Sequence, residues 1–294
     1  MGKNRMFNKR IITHSVHGEC LYVDNGIIEI GVPLSFGIRI AHLSFVSEDN
    51  VFFVQPKEMK EFVYESGFRL RGGHRLWLAP ESDADYYGDN YPIEYEFIGN
   101  KLRLSQKNDP LLNVVKSMEI VLEGNEVHIT HRILNTGEKK NVALWALTVM
   151  NGGGVTTVPL PQREGGYDPL LHISAWDYTD LGDERLRFGK NEIKLFQRAG
   201  ERNLKIGVGH PAGAISYENG GVVFKKHIPL MPDGEYPDGG VSFETFVFDH
   251  MTEIEGLSPF VDLLPDGTAT YKEVWELSRG INNKTASAPY ENNK

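Results

Sequence analysis

The chain has 294 residues, with 31 Lys+Arg against 40 Asp+Glu and a formal net charge of −9. Hydrophobic residues make up 40% and charged residues 24%, which is typical of a globular protein and excludes a disordered, collagenous or membrane-spanning chain. The acidic balance argues against nucleic acid or an anionic membrane as a partner, because both bind basic surfaces. The single cysteine, Cys20, excludes an internal disulfide and a cysteine-based zinc site. Without an apolar signal-peptide core near the start, we predict a reducing, cytoplasmic setting.

Strand-like periodicity dominates the chain. Apolar and polar residues alternate over 127–133, 241–247 and 270–277, as in half-buried strands. Further predicted strands, in chain order, are 20–23, 27–32, 37–45, 51–54, 94–98, 101–106, 114–122, 142–150, 203–208, 213–217 and 221–227. The 31 glycines and 15 prolines provide frequent turns. One short helix is predicted, over 56–65.

Many short strands without alternating helices predict an all-β sandwich. No linker divides the sequence, so we predict one domain over 1–294, with a core of about 15–280 and a flexible polar tail at 282–294. Two segments, 69–92 and 151–187, are predicted as long loops. Long ordered loops tend to carry function.

Four segments stand out in chain order: 70–81 (LRGGHRLWLAPE), 131–137 (HRILNTG), 142–148 (VALWALT), and a block running from 253–259 (EIEGLSP) through 264–267 (LPDG) to 271–275 (YKEVW). Together they resemble the galactose mutarotase-like (aldose 1-epimerase-like) superfamily. The first segment is most similar to an uncharacterised branch with a GGHRLW-type motif. The resemblance covers about residues 20–280 and implies a large antiparallel β-supersandwich, in agreement with the predicted strands.

The resemblance implies mutarotase chemistry, in which a base deprotonates the anomeric hydroxyl and an acid protonates the ring oxygen. By position, the base is Glu255, with Glu253 as its competitor. The two glutamates lie on one face of a strand, where neighbouring carboxylates raise each other's pKa. A solvated acidic strand face is the plain alternative. The resemblance makes His74 the acid or a positioning residue, whereas a buried histidine in a glycine-rich turn is the structural alternative.

Other candidate residues suit sugar binding. Arg71 and Arg75 could clamp a substrate through their guanidinium groups. Trp77 and Trp145 could stack on a sugar ring, unless both are core tryptophans. Asp238 could accept hydrogen bonds from sugar hydroxyls, although a plain turn explains it equally well.

The sequence departs from active mutarotases at one place. Their second histidine lies in an H-x-Y-F segment that corresponds to 145–150, and no histidine occurs there. The resemblance therefore leaves three functions open. They are an aldose 1-epimerase-type isomerase, a non-catalytic sugar-binding module, and a polysaccharide lyase or hydrolase relative that would use Tyr86, Tyr87, Arg71 and Arg75.

No metal or cofactor is predicted. His128 and His131 fall on opposite faces of one strand, so they cannot share a metal, and His131 is predicted as a core histidine. An acidic segment, 83–89, could gather Asp83, Asp85 and Asp89 around a calcium ion. It is better explained as a polar loop whose tyrosines, Tyr86, Tyr87 and Tyr91, wall one end of a sugar cleft. The expected partner is a monosaccharide or oligosaccharide, and the oligomeric state stays open.

Overall fold

A computed structural model of the chain describes residues 7–61, 63, 67–167 and 169–280. These residues form antiparallel β-strands in three sheets, together with two short 3₁₀ helices, Asp83–Tyr86 and Gly88–Asn90. The all-β prediction is confirmed. Within the described ranges, no helix is long and apolar enough to cross a membrane. The tail 282–294, predicted to be flexible, lies outside these residues.

The strands follow one another closely along the chain. They are β1 (Asn8–His14), β2 (Gly18–Asp24), β3 (Ile28–Pro33), β4 (His42–Phe45), β5 (Gly73–Ala79), β6 (Ile93–Ile98), β7 (Lys101–Gln106), β8 (Val114–Glu123), β9 (Glu126–Asn135), β10 (Lys140–Asn151), β11 (Val155–Pro159), β12 (Ile173–Ala175), β13 (Leu186–Phe188), β14 (Glu192–Phe196), β15 (Leu204–Val208), β16 (Ile215–Asn219), β17 (Val222–His227), β18 (Phe243–Phe248), β19 (Met251–Leu257), β20 (Val261–Leu263) and β21 (Thr268–Arg279).

Three sheets share these strands. The N-terminal sheet has the order β1-β2-β3-β4. A seven-stranded sheet has the order β12-β15-β18-β19-β10-β20, and β5 pairs with β10 on the side away from β19. A ten-stranded sheet has the order β13-β14-β11-β16-β17-β21-β9-β8-β7-β6. Non-consecutive neighbours such as β21 and β9 make the large sheets dependent on contacts distant in sequence.

Side-chain alternation explains how the two large sheets pack. Strand β8 is buried at every second residue, so one face meets the core and the other faces solvent. Strands β5 and β19 are buried at every residue, because both faces of the seven-stranded sheet are covered. One face, carrying Leu76, Leu144 and Ala146, shares a hydrophobic cluster with Ile133 and Tyr271 of the ten-stranded sheet.

Several local predictions are wrong. The helix over 56–65 is not formed in its described part, where Lys57 and Glu58 lie in a turn and Val63 makes an isolated bridge to Arg69. The predicted strand 51–54 forms only isolated bridges, and 37–45 forms a strand only from His42 onward. Neither long segment is a plain loop, since 69–92 contains β5 and 151–187 contains β11 and β12.

Candidate functional site

A cleft lies over the face of the seven-stranded sheet that points away from the ten-stranded sheet. Its volume is about 210 Å³. Its lining combines aromatic, aliphatic and charged side chains: Phe68, Leu70, Arg75, Trp77, Glu81, Tyr86, Trp145, Leu147, Tyr178, Lys205, Phe246, Met251 and Glu253. Strands β5, β10, β15, β18 and β19 therefore all contribute to one site.

Strand register sets the order of the charged residues on this face. Glu253 and Glu255 are two residues apart on β19, so they share the cleft side of the sheet, as predicted. Glu255 pairs with Glu244 on β18 and with Leu147 on β10. Leu147 in turn pairs with Arg75 on β5. The register thus gathers carboxylates and a guanidinium onto one row.

Glu253 faces the cleft beside Arg75. Its side chain is 10% exposed, and Oε1 lies 3.4 Å from Nη1 and Nη2 of Arg75. Burial raises the pKa of Glu253, the Arg75 guanidinium opposes the shift, and the nearby Glu255 adds to it. A carboxyl group with a raised pKa is better matched to proton transfer near neutral pH.

Glu255 is fully buried beneath the cleft. Its Oε2 accepts a hydrogen bond of 2.8 Å from Nε1 of Trp145 and lies 3.3 Å from Nζ of Lys205. Lys205 also lies 2.7 Å from Oε2 of Glu244. Burial alone would lower the pKa of Lys205, but Glu255 and Glu244 raise it above its ordinary value. Burial also raises the pKa of Glu244, against the effect of Lys205.

Lys205 and Glu244 were missed by sequence reasoning. Lys205 lies between the apolar residues Leu204 and Ile206 on β15, and Glu244 follows Phe243 on β18. A charge inside such a run is a signal, since lysine and glutamate are rarely buried unless paired. The sequence does not show that β15 and β18 are adjacent, so it could not identify the pair.

The two predicted stacking tryptophans form the floor of the cleft and are mostly covered. Trp77 is 2% exposed and Trp145 is 5% exposed. Their rings meet edge to face, with centroids 5.8 Å apart. By contrast, Tyr178 is 45% exposed and its ring lies edge-on to Phe246. Tyr178, which the sequence did not single out, is the most exposed aromatic side chain among the described residues that line the cleft.

His74 lies outside the cleft. The predicted glycine-rich turn is strand β5, in which alternation puts His74 on the opposite face from Arg75 and Trp77. Its Nδ1 is 2.9 Å from Oγ1 of Thr148, and its Nε2 is 3.0 Å from Nε2 of His131. A role for His74 as acid or positioner of a ligand in the cleft therefore has no support in its position.

His74, His131 and Glu273 could in principle hold a metal ion, since their ligand atoms lie within 4.8 Å of one another. However, Nζ of the fully buried Lys226 lies 3.2 Å from Oε2 of Glu273. Burial opposes the ionisation of Glu273, but Lys226 leaves its pKa below the ordinary value. Burial lowers the pKa of His74 well below 6.5. We interpret the cluster as an ion pair between Lys226 and Glu273 beside a neutral His74, because Lys226 already supplies the cation.

A different cavity, of about 500 Å³, lies beside Asn50, Asn151, Asn219 and Arg279. The amides here bind the backbone: Nδ2 of Asn151 donates to the Asn50 carbonyl, and Nδ2 of Asn219 donates to the Gly152 carbonyl. Arg279 pairs with Glu48. These groups stabilise local structure, so we place the candidate site in the cleft over β5, β10 and β19.

Solved structures share this architecture over most of the chain. A putative mutarotase from Salmonella typhimurium superposes with a TM-score of 0.59 at 12% identity, covering 93% of this chain and 94% of that one. A galactose mutarotase-like protein from Lactobacillus casei gives 0.54 at 9% identity, covering 88% and 100%. A TPR-domain containing protein from Parabacteroides distasonis gives 0.59 at 12% identity over 94% of this chain, which spans half of that protein. No protein-family model and no curated protein matches the sequence.

The chain has the galactose mutarotase-like fold. The fold predicted from the resemblance is thereby confirmed. At these identities the comparison establishes architecture alone. The activity must be argued from the residues of the cleft.

Within this galactose mutarotase-like fold, two predicted binding residues lie away from the cleft lining. The guanidinium of Arg71 covers the Phe36 ring at 3.9 Å and donates to Oδ1 of Asn90. Asp238 adopts a left-handed backbone conformation with φ of 52°, and its carbonyl accepts a hydrogen bond from Ser174. Neither residue is among those that line the cleft.

The lyase-type set is not gathered in one place. Tyr86 lines the cleft and donates its hydroxyl hydrogen to Glu81, but Tyr87 and Arg71 are not among the lining residues. In the acidic segment, the carboxylate of Asp85 accepts hydrogen bonds from the backbone of Ser82 and Leu78. Asp85 therefore holds its own turn, which argues against a calcium site there.

Proposed function

We propose that the protein binds a monosaccharide in the cleft over the seven-stranded sheet. The observation that carries this proposal is the cleft-facing pair of Glu253 and Arg75 beside the exposed ring of Tyr178. A carboxylate accepts and a guanidinium donates hydrogen bonds, so the pair can engage adjacent hydroxyls of one sugar. The aromatic ring of Tyr178 suits the apolar face of a pyranose.

The size of the cleft favours a single sugar ring. Its volume of about 210 Å³ is below the ~300–1,000 Å³ of pockets that enclose drug-sized ligands. Proteins of the same fold are described as a putative mutarotase and a putative aldose 1-epimerase, which supports a sugar as the ligand class. An oligosaccharide would extend beyond the lining residues into solvent.

A second candidate function is an aldose 1-epimerase-type isomerase with Glu253 as base. Glu253 would take the proton of the anomeric hydroxyl as the bond from the anomeric carbon to the ring oxygen breaks. The ring oxygen takes up a proton, and the open-chain aldehyde recloses on either face after rotation. Glu253 is favoured over Glu255 because Glu255 is fully buried and bonded to Trp145.

This cleft differs from the mutarotase pattern in the group that would give a proton to the ring oxygen. None of the described residues that line it is a histidine. Lys205 has a raised pKa, so it holds its proton tightly. Water in the open cleft would then protonate the ring oxygen, and we expect a slow isomerase at most.

Isothermal calorimetry with a panel of neutral aldoses tests the binding proposal. We expect at least one aldose to bind, and Glu253→Gln to weaken it about tenfold or more through loss of a charged hydrogen-bond acceptor. Glu94→Gln, an exposed glutamate on β6, is the matched control and should leave binding unchanged. Absence of binding by every aldose would overturn the proposal.

Exchange NMR between the anomers of the bound aldose tests catalysis separately. If Glu253 is a base, the wild type should accelerate exchange and Glu253→Gln should lose that acceleration, even at saturating sugar. A sugar that binds without faster exchange would leave the binding function standing and exclude the isomerase.

A further inference from the structure

We propose that the cleft selects neutral and amino sugars and rejects sugars that carry a carboxylate or a phosphate. This selectivity rests on the proposed sugar binding and adds the substrate class. It follows from how the charges of the cleft are already paired, and the sequence alone left the charge of the sugar open.

The first lining cation, Lys205, has no spare capacity for an anionic ligand. Its Nζ lies 2.7 Å from Glu244 and 3.3 Å from Glu255. It also lies over the rings of Trp145 and Trp176, at 4.9 Å and 4.5 Å from their centroids. Two carboxylates and two aromatic faces thus surround one ammonium group.

The second lining cation, Arg75, is also neutralised. Its guanidinium contacts Glu253 at 3.4 Å and covers the Trp77 ring at 4.3 Å. A ligand phosphate or carboxylate that approached Arg75 would come close to the Glu253 carboxylate. Like charges in a partly buried site repel strongly, so this position opposes an anion.

Acidic groups outnumber basic groups at the site. Glu81 and Glu253 line the cleft, and Glu244 and Glu255 lie beneath Lys205, which gives four carboxyl groups against two cations. Among the described residues, Oε1 of Glu244 and Oε1 of Glu255 have no hydrogen-bond donor, and Nε of Arg75 and Nε1 of Trp77 have no acceptor. Burial raises the pKa of both Glu244 and Glu253, and Glu255 raises each further. A negatively charged ligand would add to the electrostatic repulsion among these carboxyl groups.

The cleft therefore carries more carboxyl groups than cations. Hydroxyl groups supply donors without charge, and an ammonium group supplies donors with a charge opposite to that of the carboxylates. A neutral aldose or an amino sugar fits this chemistry. A uronic acid or a sugar phosphate brings negative charge to a site where carboxyl groups already outnumber cations.

Matched sugar series test the selectivity by calorimetry at pH 7 and low salt. Each series holds a parent aldose, its 2-amino sugar, its uronic acid and its 6-phosphate, based on glucose and on galactose. We expect both anionic members to bind at least about tenfold more weakly than their parent, and the amino sugar to bind as well as the parent or better. An anionic member that binds as tightly as its parent would overturn the selectivity while sugar binding stands. If no member of either series binds, the proposed function itself fails.

Charge-removing variants identify the source of the selectivity. Glu253→Gln should narrow the ratio of parent to uronic-acid affinity several-fold, even though it weakens the parent. Glu81→Gln, at the exposed rim, should narrow the ratio about twofold to fivefold. Glu94→Gln should leave the ratio unchanged. If the ratio of parent to uronic-acid affinity is the same in all three variants, the cleft carboxylates are not the source of the selectivity.

Discussion

At the scale of single residues, strand β5 places two adjacent polar residues on opposite faces of the sheet. Arg75 faces the cleft, while His74 points into the core toward His131 and Glu273. The sequence identified both residues as candidates for the site. Only the alternation of side chains along a strand shows that one of them faces away from the cleft. His131 is buried, as predicted, but its contact with His74 could not be predicted, because β5 and β9 are far apart in sequence.

Lys226 provides a stability prediction at this scale. Its Nζ pairs with Glu273 and donates to the carbonyls of Ala146 and Ile254, so it links the two large sheets. Lys226→Met leaves the Glu273 carboxylate buried without its cation and should cost about 3–5 kcal/mol of unfolding free energy. Urea unfolding measures the loss.

The adjacent lysine is the matched control. Lys225 pairs with Glu276 at a partly exposed position, so Lys225→Met should cost no more than about 1 kcal/mol. Adding Glu273→Gln to Lys226→Met should restore part of the stability. Equal losses for the two single lysine variants would refute the role of the buried pair.

His42 predicts a pH dependence of stability. Burial lowers its pKa to about 4, whereas an unfolded histidine has a pKa near 6.5. Below pH 6.5 the unfolded state binds the proton and the folded state does not. Stability from this group is thus complete above pH 6.5 and is lost as pH falls toward 4, by about 1.4 kcal/mol per pH unit.

Unfolding of His42→Asn across the same pH range isolates this contribution. The difference in unfolding free energy between wild type and variant should shrink by about 2–3 kcal/mol between pH 7 and pH 4. A difference that stays constant with pH would show that His42 does not titrate as its burial requires.

At the scale of elements, exposure on one face helped the sequence to reveal several strands, although β3 and β15, which are buried at every residue, were predicted as well. Strands β7, β8 and β21 alternate because solvent covers one face, and their predicted bounds fall within a few residues of the observed ones. Strand β5 is buried on both sides, so its sequence lacks alternation and was predicted as a loop. The site depends on β5, which explains why its geometry was harder to predict than the fold class.

The Gly72-Gly73 pair determines how β5 enters the sheet. Both residues have positive φ, and a Cβ on Gly72 would lie 1.7 Å from the carbonyl oxygen of Phe53. Gly72→Ala should therefore cost more than about 3 kcal/mol or prevent folding, since backbone atoms must move.

Gly124, in the turn after β8, is the control for Gly72, because it has a positive φ but no close neighbours. Its φ is 59°, yet a Cβ added to it would have no atom within 4 Å, so Gly124→Ala should cost only about 1–2 kcal/mol. Thermal and urea unfolding of both variants compare the two costs. Equal costs would mean that crowding by Phe53 is unimportant.

At the scale of the whole molecule, the strand-like periodicity and frequent turns predicted an all-β fold, and the resemblance predicted its type. Pairing between distant strands then created the cleft, which explains why Lys205 and Glu244 were not foreseen. The single domain over 1–294, the cytoplasmic setting and the oligomeric state are untested and stay predictions. Part of the acidic surplus lies at the cleft, where we propose that it disfavours anionic sugars.

The central claim is that a sugar binds over strands β5, β10 and β19. A crystal structure with the aldose that binds best in calorimetry tests it most directly. We predict electron density for one pyranose ring against Tyr178, with hydroxyls in hydrogen-bonding distance of Glu253 and Arg75. Density at the cavity beside Asn50 and Asn151, with the cleft over Trp145 empty, would contradict the account.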